Sequence, residues 1–283
     1  MAEHRAVSTW SLHRTLGSYS AEPSLEGAAL QRRACEPTAG AVPLLELPAQ
    51  LRDHGYDTVQ ICQFHLPHRD AGYLGELRSA LADADIVLDA VLVDDGDLTH
   101  PTLADQHEHW IAGWLETAAE LGARRARVIA GQQSPTPERL AQSGDRLRRL
   151  AAGQTAVRVV TENWLGLLPS AEPVRAVLDR AGEDVGLLID LGNWTGPDKY
   201  DQLAAIAPSA ETCHAKCHST PNAAADGSGL SVELDAEDYR RSLQVLLDAG
   251  FDGPLALIYD GADPDEWTAL DAEHAIVSEL VAR

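Results

Sequence analysis

The sequence predicts a single-domain α/β protein, a (β/α)8 TIM barrel spanning residues 1–283. Three observations predict it. Eight short runs rich in β-branched residues alternate with longer amphipathic stretches, the pattern of right-handed βαβ units around a parallel sheet. The runs begin on average about 36 residues apart, room for a strand, a helix and two loops. Helical stretches stop on glycine just before a strand, at Gly55, Gly122, Gly182 and Gly250. Glycine accepts the left-handed conformation that a helix C-terminus needs.

In chain order the expected strands are Arg5–Trp10, Thr58–Gln63, Val87–Val93, Ala126–Ala130, Val157–Glu162, Gly186–Asp190, Thr212–Lys216 and Leu255–Asp260. Two helix starts are legible. Thr136-Pro137-Glu138 reads as an N-cap followed by proline at the first helical position. Asp235-Ala-Glu-Asp238 resembles a capping box. An open doubly wound sheet would usually carry a Gly-rich turn after its first strand, and Trp10-Ser-Leu-His13 is not one. No linker divides the chain. Two segments lack periodicity, residues 18–43 and 217–231. The second follows the seventh strand, at the face where barrels carry their sites, and is expected to be a lid or binding loop.

Composition narrows the function. The chain is 45% hydrophobic and 23% charged, as in ordinary globular proteins. No apolar run reaches a membrane-span length, and the first residues show no signal-like apolar region. Four cysteines in this length do not make a disulfide scaffold. A cytoplasmic protein with reduced thiols is expected. The 44 acidic residues against 22 basic give a net charge of −22, which excludes a nucleic-acid partner and offers no membrane-binding patch. Arg124, Arg125 and Arg127, and Arg146, Arg148 and Arg149, are expected on solvated faces. Lysine occurs only at Lys199 and Lys216. A homo-oligomer is compatible with the sequence.

Polar residues gather at the C-terminal ends of the later strands: Glu162-Asn163-Trp164, Asp190-Leu-Gly-Asn193-Trp194, His214-Ala-Lys216-Cys-His218 and Tyr259-Asp260. Such a carboxylate is costly unless paired or metal-bound. Each alone reads equally as a helix cap or a core residue. Glu162, Asp190 and His214, on consecutive strands at one end, form a mixed oxygen and nitrogen set suited to Mn²⁺, Mg²⁺, Co²⁺ or Zn²⁺. Alternation places His214, Lys216 and His218 on one face of the seventh strand, with Cys213, Ala215 and Cys217 on the other. Ile258 and Asp260 share a face, opposite Tyr259. His13 and His65 belong across the mouth, to bind hydroxyls or transfer protons. His68 is a weaker candidate for the same place. Trp10, Trp164, Asn193, Trp194 and His218 complete the candidate substrate-binding set. His107 and His109 are expected to be solvated. Asp94-Asp-Gly-Asp97 is expected to be a polar turn, since it lacks the rest of a calcium loop.

At these residues the sequence resembles the xylose isomerase-like TIM-barrel superfamily of sugar phosphate isomerases and epimerases. Thr9-Trp-Ser-Leu12, Phe64-His-Leu-Pro67, Thr161-Glu-Asn163, Ile189-Asp-Leu-Gly-Asn193, Cys213-His-Ala-Lys216 and Gly253–Gly261 carry the resemblance across most of the chain. It implies a divalent metal held by Glu162, Asp190 and His214. The family's fourth ligand, a glutamate on the last strand, falls at Ile258. Asp260, two residues further out on that face, is the replacement candidate. Because family epimerases use two glutamates as a proton-transferring pair, this departure bears on the chemistry.

The expected protein is thus a metal-dependent isomerase or epimerase of a small sugar or other polyhydroxylated carbonyl compound. It would work through an enediolate, with a Lewis-acid ion and Glu162, Lys216 or His65 as proton carriers. A dehydratase or lyase acting on a keto-sugar or keto-cyclitol is the alternative, and a non-catalytic ligand-binding barrel the second. Endonuclease action would need a basic groove that the sequence lacks.

Overall fold

The computed structural model describes residues 5–17, 25–27, 41–223 and 229–281. Its centre is a closed barrel of eight parallel strands: β1 (Ala6–Ser8), β2 (Thr58–Cys62), β3 (Val87–Val93), β4 (Arg125–Val128), β5 (Arg158–Glu162), β6 (Val185–Asp190), β7 (Ala210–Lys216) and β10 (Leu255–Ile258). All eight expected strands are present, in the expected order. Each is paired in parallel with its neighbours, and β10 closes onto β1. The helices α1 (His13–Leu16), α2 (Leu47–Asp53), α3 (Ala71–Asp83), α4 (Ala104–Leu121), α5 (Pro137–Ala152), α6 (Ala171–Ala181), α7 (Lys199–Ile206), α8 (Ala236–Asp248) and α9 (Glu266–Val281) fill the connections and the outer ring. No helix among the described residues is long and apolar enough to cross a membrane.

Helix boundaries follow the local chemistry. Gly55, Gly122, Gly182 and Gly250 all adopt positive φ, as their place after a helix requires. Thr136 accepts a hydrogen bond from the Arg139 amide to start α5, and Asp235 accepts one from the Asp238 amide to start α8. The last strand ends at Ile258 rather than Asp260, and the first gives way at Thr9 to a 3-10 turn over Thr9–Leu12. The connection after β7 is not wholly irregular. Residues β8 (Ser219–Pro221) and β9 (Val232–Leu234) form a two-stranded antiparallel ribbon, while 224–228 lie outside the described residues, as does much of 18–43.

Strand parity divides the molecule into an outer and an inner core. Val59, Ile61, Val91, Val93, Val159, Ile189, Cys213, Ala215, Leu257 and Tyr259 belong to the large apolar layer beneath the helices. Alternate positions turn inward and stack in tiers. At the lower end Asp89, standing in the register shift between β2 and β3, accepts hydrogen bonds from Gln60 and Thr212 at 2.9 and 2.8 Å and pairs with Arg125. Above lies a small apolar tier of Cys62, Ala90, Leu92, Val160 and Leu188. The next inward positions up the strands carry charge.

Two expectations of solvated residues are corrected here. His107 is fully buried: its Nδ1 accepts from the Asp97 amide at 2.9 Å and its Nε2 donates to the Glu26 carbonyl at 2.8 Å. Its neighbour two residues on, His109, is exposed, because positions two apart on a helix face different ways. Arg127 is also buried, as described below.

One buried acid has no visible support. Glu273 on α9 is fully buried, and neither carboxylate oxygen has a hydrogen-bond partner among the described residues. Burial, reinforced by the charge of Asp260, holds its pKa well above the ordinary glutamate value of 4.5. The folded protein therefore keeps a proton that the unfolded chain loses above that value. Stability from this group is fully present below pH ~4.5 and declines as pH rises toward the folded pKa. Glu273→Gln, which mimics the protonated acid, is expected to match the wild type near pH 4.5 and to be clearly the more stable of the two at pH 8. Urea unfolding at both pH values checks this; an unchanged difference would show that Glu273 is ionised in the folded state.

Candidate active site

The upper ends of β3 to β7 and β10 surround a small open cleft. It is lined by Trp10, Leu92, Asp94, Arg127, Glu162, Trp164, Asp190, Asn193, His214, Lys216 and Ile258. Glu162 closes β5, Asp190 closes β6 and His214 stands on β7. One potential ligand atom from each lies within 4.8 Å of the other two.

The supports of this trio are local. Asp190 Oδ1 accepts from the backbone amides of Gly192 and Asn193, both at 2.7 Å, which leaves Oδ2 facing His214 Nδ1 at 3.5 Å. Asn163 exchanges two hydrogen bonds with the Asp190 backbone, fastening β5 to β6 just below the mouth. Glu162 Oε1 accepts from Asn193 Nδ2 at 2.9 Å and lies 3.4 Å from His214 Nδ1. Burial opposes a charge on His214, but Glu162 and Asp190 outweigh it and push its pKa up to about 9. Burial likewise works to raise Asp190, while His214 and Lys216 hold it below the usual carboxylate range.

The other candidates distribute unevenly. Lys216 lines the cleft and pairs with Asp260 Oδ2 at 2.6 Å. Burial disfavours its charge, yet Asp190 and Asp260 keep its pKa above the usual lysine value. Gly192 is what allows the lysine stem to pass: a Cβ there would meet Lys216 Cγ at 2.7 Å. Asp260 stands outside the trio, behind the lysine. Trp10 packs edge-on to Phe64 and His13. Trp164 lies under the Arg127 guanidinium, 5.2 Å from the ring centroid. The next residue, Leu165, adopts a left-handed φ of 60°, a strained conformation that orients this wall.

His65, His13, Trp194 and His218 are not among the residues lining the cleft. His65 Nδ1 meets Thr9 Oγ1 at 2.9 Å, and its Nε2 lies 3.4 Å from His13 Nδ1. Burial lowers the His13 pKa to about 4. Trp194 packs into the outer core and donates to the Leu168 carbonyl at 3.1 Å, while facing a neighbouring groove. His218 Nε2 donates to the Gly192 carbonyl at 3.0 Å. His68 packs edge-on against Tyr73 on α3.

The sequence reading missed Arg127 and Asp94. Arg127 is no solvated residue: it is 2% exposed and points inward from β4. It pairs with Asp94, just past β3, and its Nε lies 3.0 Å from Glu162 Oε2. Burial opposes its charge, but Asp94 and Glu162 more than compensate. Parity was the available signal, because Ala126 and Val128 face the outer core and Arg127 must face the other way. With Asp260 included, four carboxylates (Asp94, Glu162, Asp190, Asp260) face two fixed cations (Arg127, Lys216) around this cleft.

Replacing Arg127 by Met should strand two buried carboxylates. The expected loss is about 3–5 kcal/mol of unfolding free energy, partly restored when Asp94→Asn is added. A loss below about 1 kcal/mol by urea unfolding would show that the pair is solvated in solution.

A family model described as xylose isomerase-like TIM barrel matches residues 48–276. No curated protein matches the sequence. Solved structures do. A xylose isomerase-like TIM barrel protein from Mycobacterium smegmatis, in complex with magnesium, superposes with TM-score 0.69 at 15% identity, covering 99% of this chain and 97% of that one. The probable 3-DHS dehydratase AsbF of Bacillus anthracis gives 0.62 at 12% identity, covering 98% of each chain. A D-psicose 3-epimerase from Clostridium cellulolyticum gives 0.59 at 14% identity, covering 83% and 94%. At these identities the likeness is one of fold.

Proposed function

Since the chain belongs to the xylose isomerase-like TIM-barrel family, we propose that it is a divalent-metal-dependent isomerase or epimerase of a small sugar or other polyhydroxylated carbonyl compound. The observation that carries this reading is the convergence of Glu162, Asp190 and His214 at the barrel mouth. The donor set fits a divalent ion. Two carboxylates and an imidazole meet at 3.4–3.5 Å, too far apart for good hydrogen bonds among themselves, and with His214 neutral, as a metal ligand must be, the surrounding charges leave a surplus of two negatives. A divalent ion held there supplies Lewis acidity to a substrate carbonyl and its neighbouring hydroxyl.

The chain's own residues do the rest. Asn193 and Arg127 fix the two oxygens of Glu162. Trp10 and Trp164 give apolar walls that narrow the entrance. Glu162 takes the α-proton, and Lys216 Nζ, kept charged by Asp190 and Asp260, gives one back. Arginine does not release protons in proteins, so Arg127 is no competitor for that role. Removal of the α-proton with return of one to the adjacent carbon is isomerisation.

Ile258 favours a second reading. It lines the cleft where the family's second glutamate is expected, so the two-carboxylate pair of the epimerases is absent. One proton carrier with loss of a β-hydroxyl gives dehydration. The proposed setting is cytoplasmic, with a small-molecule partner and neither nucleic acid nor membrane, in keeping with the net charge of −22.

Elemental analysis is expected to find about one divalent ion per chain in the wild type and almost none in Glu162→Ala. Equal content in both would reject the ligand set. Lys216→Met should keep the ion but lower solvent-deuterium exchange into a reactive sugar at least about 100-fold. Unchanged exchange removes lysine from the mechanism. Nuclear magnetic resonance of the product separates an isomer from an unsaturated compound, and bound ligand with no exchange at any carbon marks a binding protein.

A further inference from the structure

The wall opposite Lys216 holds a group that the proposed chemistry leaves unused. Asp94 follows β3, which stands across the closed barrel from β7. It lines the cleft with 1% of its surface exposed. Oδ1 is taken by Arg127, and the backbone amide donates to Gln63 Oε1 at 3.1 Å, so the residue is fixed at both ends. Oδ2 has no hydrogen-bond partner among the described residues. A buried carboxylate oxygen without a donor is costly, and in a cleft wall the natural donor is a ligand. Arg127 cannot serve Oδ2 as well, because its remaining nitrogens face Glu162 and the Val93 carbonyl.

We infer that Asp94 accepts a hydrogen bond from a substrate hydroxyl remote from the Glu162–Asp190–His214 group, and thereby selects unphosphorylated polyhydroxylated compounds over their phosphate esters. The inference rests on the proposed function and names its substrate class. A hydroxyl donates to a carboxylate. A phosphate at neutral pH brings acceptors and negative charge to the same place. The electrostatics agree. The surplus of two negatives around the cleft is cancelled by one divalent ion, so a neutral substrate leaves the site balanced. Among the described residues lining the cleft, both fixed cations are already engaged by carboxylates. Neither is left to receive a phosphate.

Isothermal calorimetry on the magnesium-loaded protein tests this with xylitol, its singly deoxygenated forms and xylitol 5-phosphate. One deoxygenated form should bind about 10- to 100-fold more weakly than xylitol, as befits a lost hydrogen bond to a charged acceptor. The phosphate should bind at least about tenfold more weakly. In Asp94→Asn both differences should shrink. The wild-type comparison stands even if that variant folds poorly. Phosphate binding as tight as that of xylitol, or a deoxygenated series with no sensitive position, overturns the inference. Metal content of the same samples separates the failures. Ion and xylitol bound without discrimination defeats the Asp94 assignment alone, whereas neither bound defeats the functional reading and this inference with it.

Discussion

The mouth of this barrel depends on how buried negative charge is compensated. Asp94 just past β3, Glu162 at the end of β5 and Asp190 at the end of β6 are each almost wholly removed from water. A carboxylate so placed must find donors or counter-charge, or give up its ionisation. Arg127 meets this demand for two of them by standing between Asp94 and Glu162. Backbone amides meet it for one oxygen of Asp190. What remains uncompensated is concentrated where Glu162, Asp190 and His214 converge. The site is therefore the residue of an electrostatic balance that the protein leaves open at one point.

That balance is possible because the barrel interior is tiered. An ionic and amide network around Asp89 and Arg125 fills the lower end, and a thin apolar tier centred on Leu92, Val160 and Leu188 separates it from the mouth. Low permittivity between the tiers strengthens interactions within each one. Outward-facing positions on the same strands are committed to the helix layer, which carries most of the apolar burial. One set of strands thus supplies stability on one face and chemistry on the other.

The solved barrels described above share this chain's architecture at 12–15% identity, and among them are a probable dehydratase and an epimerase. Architecture of this kind does not choose a reaction. The choice lies in a few inward positions. Here the last strand presents Ile258 to the cleft, the seventh presents Lys216, and Asp260 is spent on the lysine rather than joining the trio. Those three positions set this cleft apart from a plain two-glutamate arrangement.

Local patterns determined a great deal. β-branched runs, helix-stopping glycines and the Thr136 and Asp235 caps located every barrel strand and several helix ends, because strand propensity and left-handed glycine depend on neighbours in the chain. Parity on β7 was enough to send Cys213 outward and His214 inward. Other features needed the closed barrel. Arg127 reads as a surface residue until β3 and β5 bring Asp94 and Glu162 to it from sequence distances of more than thirty residues. His107 reads as solvated until the backbone of Asp97 and Glu26 surrounds it. The pairing of Lys216 with Asp260 arises only where β7 and β10 lie side by side. Sequence decides what each segment is; the three-dimensional arrangement decides which distant charges must share a space without water, and that sharing defines the site.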